Sequence, residues 1–170
     1  DCYYFSDKIK NGIRVMLLGK PNAGKSSIYN ALLGIERSIV TNIPGTTRDT
    51  VESILEIKKH KVALIDTAGT RKAKNKVEQM GVDKTILETK RADIVLLVVE
   101  KKSDLSKYSN INKRTIKILS KSDINSPIEG CVPVCSISGD GIYELSTAIS
   151  TEISRLMEKK NTNNKYLINE

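Results

Sequence analysis

The stretch Gly19-Lys20-Pro21-Asn22-Ala23-Gly24-Lys25-Ser26 constrains this chain more than any other. It fits G-x-x-x-x-G-K-[ST], a loop whose backbone N–H groups cradle phosphates. Before it, Ile13-Arg14-Val15-Met16-Leu17-Leu18 reads as a short buried strand. After it, Ser27-Ile28-Tyr29-Asn30-Ala31-Leu32-Leu33 reads as a helix, with Gly34 expected to close it at a C-cap position. Strand, glycine loop and helix together give the pattern a mechanism, because loop amides and a helix N-terminus both favour a bound phosphate. Lys25 adds a point charge for the terminal phosphates, and Ser26 offers a hydroxyl to a magnesium ion. Asn22, Ala23, Gly24 and Ser27 complete the stretch assigned to the nucleotide. The bland alternative is a plain glycine-rich turn, and the flanking strand and helix argue against it.

At 170 residues the chain is the size of one ordinary domain. Its hydrophobic fraction of 39% supports a core, but an aromatic fraction of 4% without tryptophan leaves aliphatic side chains to fill it. No apolar run approaches the ~20 residues that cross a membrane, and no signal peptide leads the sequence, so a cytoplasmic location without a membrane is expected. Cys2, Cys131 and Cys135 show neither metal spacing nor a paired framework; the last two read as small core residues of a strand. The single histidine, His60, falls in a polar turn, which argues against histidine-based catalysis or a zinc site. The net charge of +8 suits a nucleic-acid partner. The lysines are scattered and no aromatics interleave with them for stacking, so a lysine- and asparagine-rich proteome is the favoured explanation. The sequence begins at Asp1, and Asn161-Thr162-Asn163-Asn164 reads as a polar break before Lys165-Tyr166-Leu167-Ile168. Both ends are expected to belong to a larger protein.

Further along, Val51–Ile57 and Lys61–Ile65 read as a hairpin turning at Lys58-Lys59-His60, after a long polar loop over residues 35–49. Val82, Ile86 and Leu87 suggest a helix. The uninterrupted apolar run Ile94–Val99 fits a central parallel strand. A short helix is the best reading of the polar Lys101–Asn112 segment, which has no functional account. Thr115–Leu119 and Cys131–Cys135 read as strands, and residues 141–159 as a closing helix with Ile142, Leu145, Ile149, Ile153 and Leu156 in helical period. There is no internal repeat. This order predicts an α/β fold, a mostly parallel six-stranded sheet with one antiparallel strand and helices on both faces. Ligand loops are expected at the carboxyl ends of its strands.

Four more clusters fall at such ends. In Pro44-Gly45-Thr46-Thr47-Arg48-Asp49, a threonine can reach a magnesium ion, which wants near-octahedral oxygen ligands and keeps several waters. Taken alone the cluster is a polar turn. Asp66, in Asp66-Thr67-Ala68-Gly69, ends an apolar strand, a costly place for a carboxylate without a partner. Magnesium held through water supplies one, and Gly69 lets its N–H approach a γ-phosphate; the plain reading is an aspartate capping a turn. In Ser120-Lys121-Ser122-Asp123, the aspartate can accept two hydrogen bonds from guanine, and the Lys121 stem can lie over the base. Adenine would leave that carboxylate mismatched, at a cost of about 1–3 kcal/mol. Ser136-Ile137-Ser138-Gly139 follows the last strand, where a backbone N–H can reach guanine O6.

These five spaced motifs resemble the P-loop G domain of translation-factor-type GTPases. Their wording is similar to the MnmE (TrmE) family of bacterial tRNA-modification GTPases, over roughly residues 10–158. The run GKPNAGKSSIYNALLGIERSIVTNIPGTTRDTVES carries the likeness. So does DTAGTRKAKNKVEQMGVDKT, whose Val77–Val82 stretch sets it apart from the related Der and Era GTPases. The resemblance implies that residues 10–160 are a GTP-binding domain inserted in a helical domain. Residues 1–9 would be the remnant of the helical domain before it, and residues 161–170 a linker and the start of the returning segment. It implies wobble-uridine modification of tRNA by the whole protein, with an MnmG-type flavoprotein partner. That chemistry has no recognisable folate site or C-terminal cysteine motif here.

For hydrolysis the resemblance implies magnesium at Ser26 and Thr47, reached through water by Asp66. It also implies a potassium ion held by Asn22, Thr41, Ile43 and Thr46 in place of an arginine finger. That ion would order the first switch and promote dimerisation of two G domains across their switch faces. Glu78 corresponds to the family's water-orienting glutamate, which matters because Thr70 stands where many small GTPases place glutamine. No arginine finger in cis is obvious, although Arg48 and Arg71 are near enough in sequence to be considered. The nucleotide-contacting set is then Asn22, Ala23, Gly24, Lys25, Ser26, Ser27, Thr41, Thr46, Thr47, Asp66, Gly69, Ser120, Lys121, Asp123, Ser136 and Ile137.

Two positions depart from the family. Ser120 replaces the asparagine of N-K-x-D, and a hydroxyl cannot offer an amide's paired donor and acceptor, so weaker guanine binding is expected, with specificity kept by Asp123. Ile137 replaces an alanine, of little consequence if the backbone makes the contact. The competing readings are a Der- or Era-like ribosome-assembly GTPase and a nucleotide-dependent interaction module with negligible hydrolysis.

Overall fold

A computed structural model describes residue 8 and residues 10–35, 51–66, 89–111 and 113–165. Within them the chain forms β1 (Ile13–Leu18), α1 (Lys25–Ile35), β2 (Val51–Ile57), β3 (His60–Asp66), β4 (Ile94–Val99), α2 (Lys102–Ser106), β5 (Arg114–Ser120), β6 (Val132–Val134) and α3 (Ile142–Lys165). The expected helix through Val82, Ile86 and Leu87 lies outside the described residues, as do Cys2 and the loop after α1.

The six strands form one sheet in the order β2-β3-β1-β4-β5-β6. Only β2 runs antiparallel to its neighbour, β3. The apolar runs decide which strands sit in the middle. All six residues of β4 are buried, as a strand covered on both faces requires. Alternation within β1 divides the core. Val15 and Leu17 face a cluster shared with Ile28 and Leu32 of α1 and Ile142, Leu145, Ile149 and Ile153 of α3. Met16 and Leu18 face the other way, with Val95, Leu97, Val99 and Leu105 of α2. Each fully buried Leu or Ile contributes about 1.5–3 kcal/mol, so these two layers hold the sheet.

Several sequence expectations change. Gly34 does not close α1; it lies inside the helix, which runs to Ile35. A glycine there costs about 1 kcal/mol, which the packing of Ile28 and Leu32 offsets. The Asn161–Asn164 break does not end α3, which continues to Lys165. Extending an existing helix adds one hydrogen bond per residue fixed, and no Pro or Gly interrupts it. His60 belongs to β3, and the turn is Lys58-Lys59 alone, both left-handed at φ 44° and 75°. Mirror-image two-residue turns of this kind match the twist of a hairpin, and Asn-Gly is their usual occupant. Lys58 gains compensation by donating to Thr147 Oγ1 at 2.6 Å and by sitting 4.1 Å from the Tyr143 ring centre.

At the opposite edge β6 has three residues, with exposed Pro133 at its centre. Gly141, at φ 78°, passes so close that a Cβ there would lie 1.9 Å from the Pro133 carbonyl oxygen. Cys131 and Cys135 flank β6 rather than lying in it; Cys135 is buried, and desolvation raises the Cys131 thiol pKa.

Candidate functional site

The strand order reverses direction at β1, which has β3 on one side and β4 on the other. In doubly wound sheets a ligand lies at such a switch point, beyond the carboxyl ends of the strands. The loop of residues 19–24 leaves β1 there. Gly19 passes so close to β4 that a Cβ would stand 2.4 Å from the Val98 carbonyl oxygen, which only glycine permits. Asn22 is left-handed at φ 61°, a conformation asparagine tolerates better than most residues. Gly24 follows at φ 94°, and α1 begins at Lys25. The loop is thus curled by its backbone, with its amides leading into a helix N-terminus.

Lys25 is 6% exposed, and its ammonium donates to the carbonyls of Gly19 (3.0 Å) and Lys20 (2.7 Å). Its charge is thereby fixed inside the curl of the loop. Ser26 Oγ donates to Asp66 Oδ2 at 3.0 Å. Asp66 is 5% exposed at the end of β3, in register with Leu17 of β1. A hydroxyl and a carboxylate therefore meet at the mouth of the phosphate loop. Two hard oxygens so placed suit a magnesium ion and its retained waters.

On the other side stands the loop after β5. Ser120 is 2% exposed, and its hydroxyl donates to the Val99 carbonyl of β4 at 3.2 Å. Its Cβ would lie 3.6 Å from a Cβ on Gly24, so it packs against the phosphate loop. The Asn125 side chain donates to the Ser120 carbonyl at 2.8 Å, and Ser122 N–H donates to Val134 O at 3.2 Å, which fixes the loop against β6. Lys121, left-handed at φ 51°, reaches back to the Asn22 carbonyl at 3.5 Å. Asp123 is exposed beside it. In the loop after β6, Gly139 N–H bonds the Cys135 carbonyl at 2.9 Å and Cys135 N–H the Asp140 carbonyl at 3.0 Å. Ser136 is partly buried there, and Ile137 is 93% exposed.

The structure thus brings together Asn22, Ala23, Gly24, Lys25, Ser26, Ser27, Asp66, Ser120 and Lys121, with Asp123, Ser136 and Ile137 on loops at the same end of the sheet. Thr41, Ile43, Thr46, Thr47, Gly69 and Glu78 lie outside the described residues, as do Arg48, Thr70 and Arg71.

Sequence reasoning missed a charged cluster at this mouth. Glu100, the residue after β4, accepts from Lys20 at 2.6 Å and from Lys121 at 2.5 Å. Lys20 also pairs with Asp104 of α2 at 3.2 Å, and Asp104, 2% exposed, accepts the Glu100 N–H at 3.3 Å. Hydrogen bonds from Lys121 and Lys20 hold the Glu100 carboxyl below its ordinary pKa. Glu100 in turn raises Lys20. Burial pushes the Asp104 carboxyl up, and the Glu100 N–H and Lys20 more than offset it. The missing signal was topological: Lys20 sits at a free position of the phosphate motif, and only the β1–β4 pairing places it beside Glu100. Asp104 gives the Lys101–Asn112 segment a structural role.

Residues 14–131 match the model of a family described as 50S ribosome-binding GTPase. The chain is 46% identical over 120 residues to tRNA modification GTPase MnmE of Caldicellulosiruptor saccharolyticus, covering 68% of this chain and 26% of that protein. It is 38% identical over 164 residues to MnmE of Aquifex aeolicus, covering 89% and 37%. The chain therefore spans about a quarter to a third of the length of these curated relatives. Among solved structures it is similar to the G domain of the T. maritima FeoB iron transporter, at 27% identity and TM-score 0.58, over 82% of this chain and 97% of that one. Era bound to MgGDPNP and 16S ribosomal RNA, at 23% identity and TM-score 0.55 over 80% of this chain and 55% of that one, shares the fold.

Proposed function

We propose a function for a chain that belongs to the 50S ribosome-binding GTPase family and resembles the G domain of MnmE. It binds GTP and hydrolyses it, with potassium stimulation, as the G domain of an MnmE-type tRNA wobble-uridine modification GTPase. The observation that carries this reading is the phosphate loop at the sheet's switch point, touched on one side by Asp66 and on the other by Ser120 and Lys121.

Loop amides and Lys25 neutralise the terminal phosphates, where charge develops during transfer to water. Ser26 and Thr47, with Asp66 acting through water, would hold magnesium, which would supply Lewis-acid polarisation of the phosphate when bound. Asn22, with Thr41, Ile43 and Thr46, would hold potassium, whose charge serves in place of an arginine finger. Glu78 orients the attacking water through a second water. Asp123 accepts from guanine, the Lys121 stem covers the base, and backbone at Ser136 and Ile137 meets O6. Ser27, Ala23 and Gly24 contribute N–H groups, and Gly69 approaches the γ-phosphate.

Residues 10–160 form this G domain, with residues 1–9 and 161–170 flanking it. Two copies pair across their switch faces, and an MnmG-type flavoprotein and tRNA engage the whole protein in the cytoplasm. Among the described residues, no helix is long and apolar enough to cross a membrane.

The deciding experiment is GTP turnover in potassium against sodium buffer, repeated with Asn22→Ala and Glu78→Ala. Potassium should raise turnover of the parent, and Asn22→Ala should abolish that increase. Equal turnover in both salts removes the potassium mechanism. Unchanged turnover in Glu78→Ala removes the role given to that residue.

A further inference from the structure

Glu100 belongs to none of the five motifs, yet it stands between two of them. We propose that Glu100 is a positioning residue for guanine-nucleotide binding: its carboxylate holds the Lys121 side chain in place and, through Lys20, locks the guanine loop to the phosphate loop. The inference rests on the nucleotide-site reading above.

The sheet puts Glu100 there. Leu18 of β1 is in register with Leu97 of β4, so the phosphate loop and the end of β4 leave the sheet side by side. Val99 of β4 is in register with Leu119 of β5, so the guanine loop leaves on the other side. A residue at position 100 can therefore reach both loops, and Glu100 does, contacting Lys20 at 2.6 Å and Lys121 at 2.5 Å.

Lys121 needs an anchor. It is a non-glycine residue in the left-handed region, a conformation that persists only where its surroundings hold it. Its neighbour's hydroxyl donates to Val99 of β4 rather than to the phosphate loop. What crosses to the phosphate loop is the Lys121 side chain, which ends at the Asn22 carbonyl and at Glu100.

A flexible lysine loses rotamer freedom when it settles over a base, and that loss weakens binding unless the side chain is already held. An isolated exposed ion pair would hold it poorly. Here one carboxylate serves two ammonium groups, and the second of them, Lys20, is also held by buried Asp104. Replacing Glu100 by glutamine keeps its size, removes that charge, and leaves Lys20 and Lys121 facing one another across a neutral amide.

The test is the affinity of the full chain for a fluorescent GDP analogue, by equilibrium titration and by dissociation rate, in E100Q, E100D, K121Q and the E100Q/K121Q double variant. E100Q should weaken binding about tenfold, chiefly through faster dissociation. The KM for GTP should rise by more than kcat falls, and E100D should recover part of the loss. Because Glu100 acts through Lys121, E100Q should add little in the K121Q background. Losses that simply add in the double variant, or an E100Q protein that binds as tightly as the parent, would overturn the proposal. A parent chain that binds no guanine nucleotide would instead remove the nucleotide-site reading itself.

Discussion

The two halves of the site are built by different means. On the phosphate side, backbone shape makes the cradle: Gly19 is forced by its approach to Val98, Asn22 and Gly24 are left-handed, and α1 starts at once. On the base side, side chains do the work: Ser120 packs against Gly24, Lys121 spans to Asn22, and Glu100 ties both loops together. A backbone cradle tolerates almost no variation at its glycines. A side-chain assembly can replace one member if others keep the loops joined. The departures from the family motifs, Ser120 and Ile137, both fall in the second half.

Three substitutions press on that contrast. Lys25→Ala removes the charge fixed inside the cradle and should weaken GDP binding by about a hundredfold or more, since a charged hydrogen-bond donor is lost from a buried position. Isothermal titration would check it; a loss below tenfold would mean that the backbone alone holds the phosphates. Asp123→Ala should cost about tenfold for GDP and little for ADP, collapsing the preference between them. A preference that survives would move guanine recognition elsewhere on the base side. Ser120→Asn should act in the opposite sense and more gently, tightening GDP by about threefold, because a longer amide at a position facing Gly24 can reach the phosphate loop. Weaker binding would show that the buried serine leaves no room for it.

The same contrast explains what the sequence made legible. The β1–loop–α1 unit is local, so spacing along the chain sufficed to place Gly19, Gly24, Lys25 and Ser26. Asp66 is conspicuous in the sequence as a carboxylate closing an apolar run, and in the fold it meets Ser26. Glu100 could not be found that way. It looks like any charge after a strand, and its meaning depends on which strands flank β4. Helix ends failed for a related reason. Gly34 and Asn161–Asn164 are poor helix residues, but continuing an established helix costs less than their propensities suggest.

The edges of the sheet bear on how copies of this domain can meet. An open strand offers its unpaired N–H and C=O groups to any similar strand and so invites fibrous growth. β6 gives such a neighbour three residues, and its central Pro133 has no N–H to donate. Glu52 and Glu56 charge the outer strand β2 at the other edge. Ribbon-like stacking of sheets is thereby discouraged at both ends.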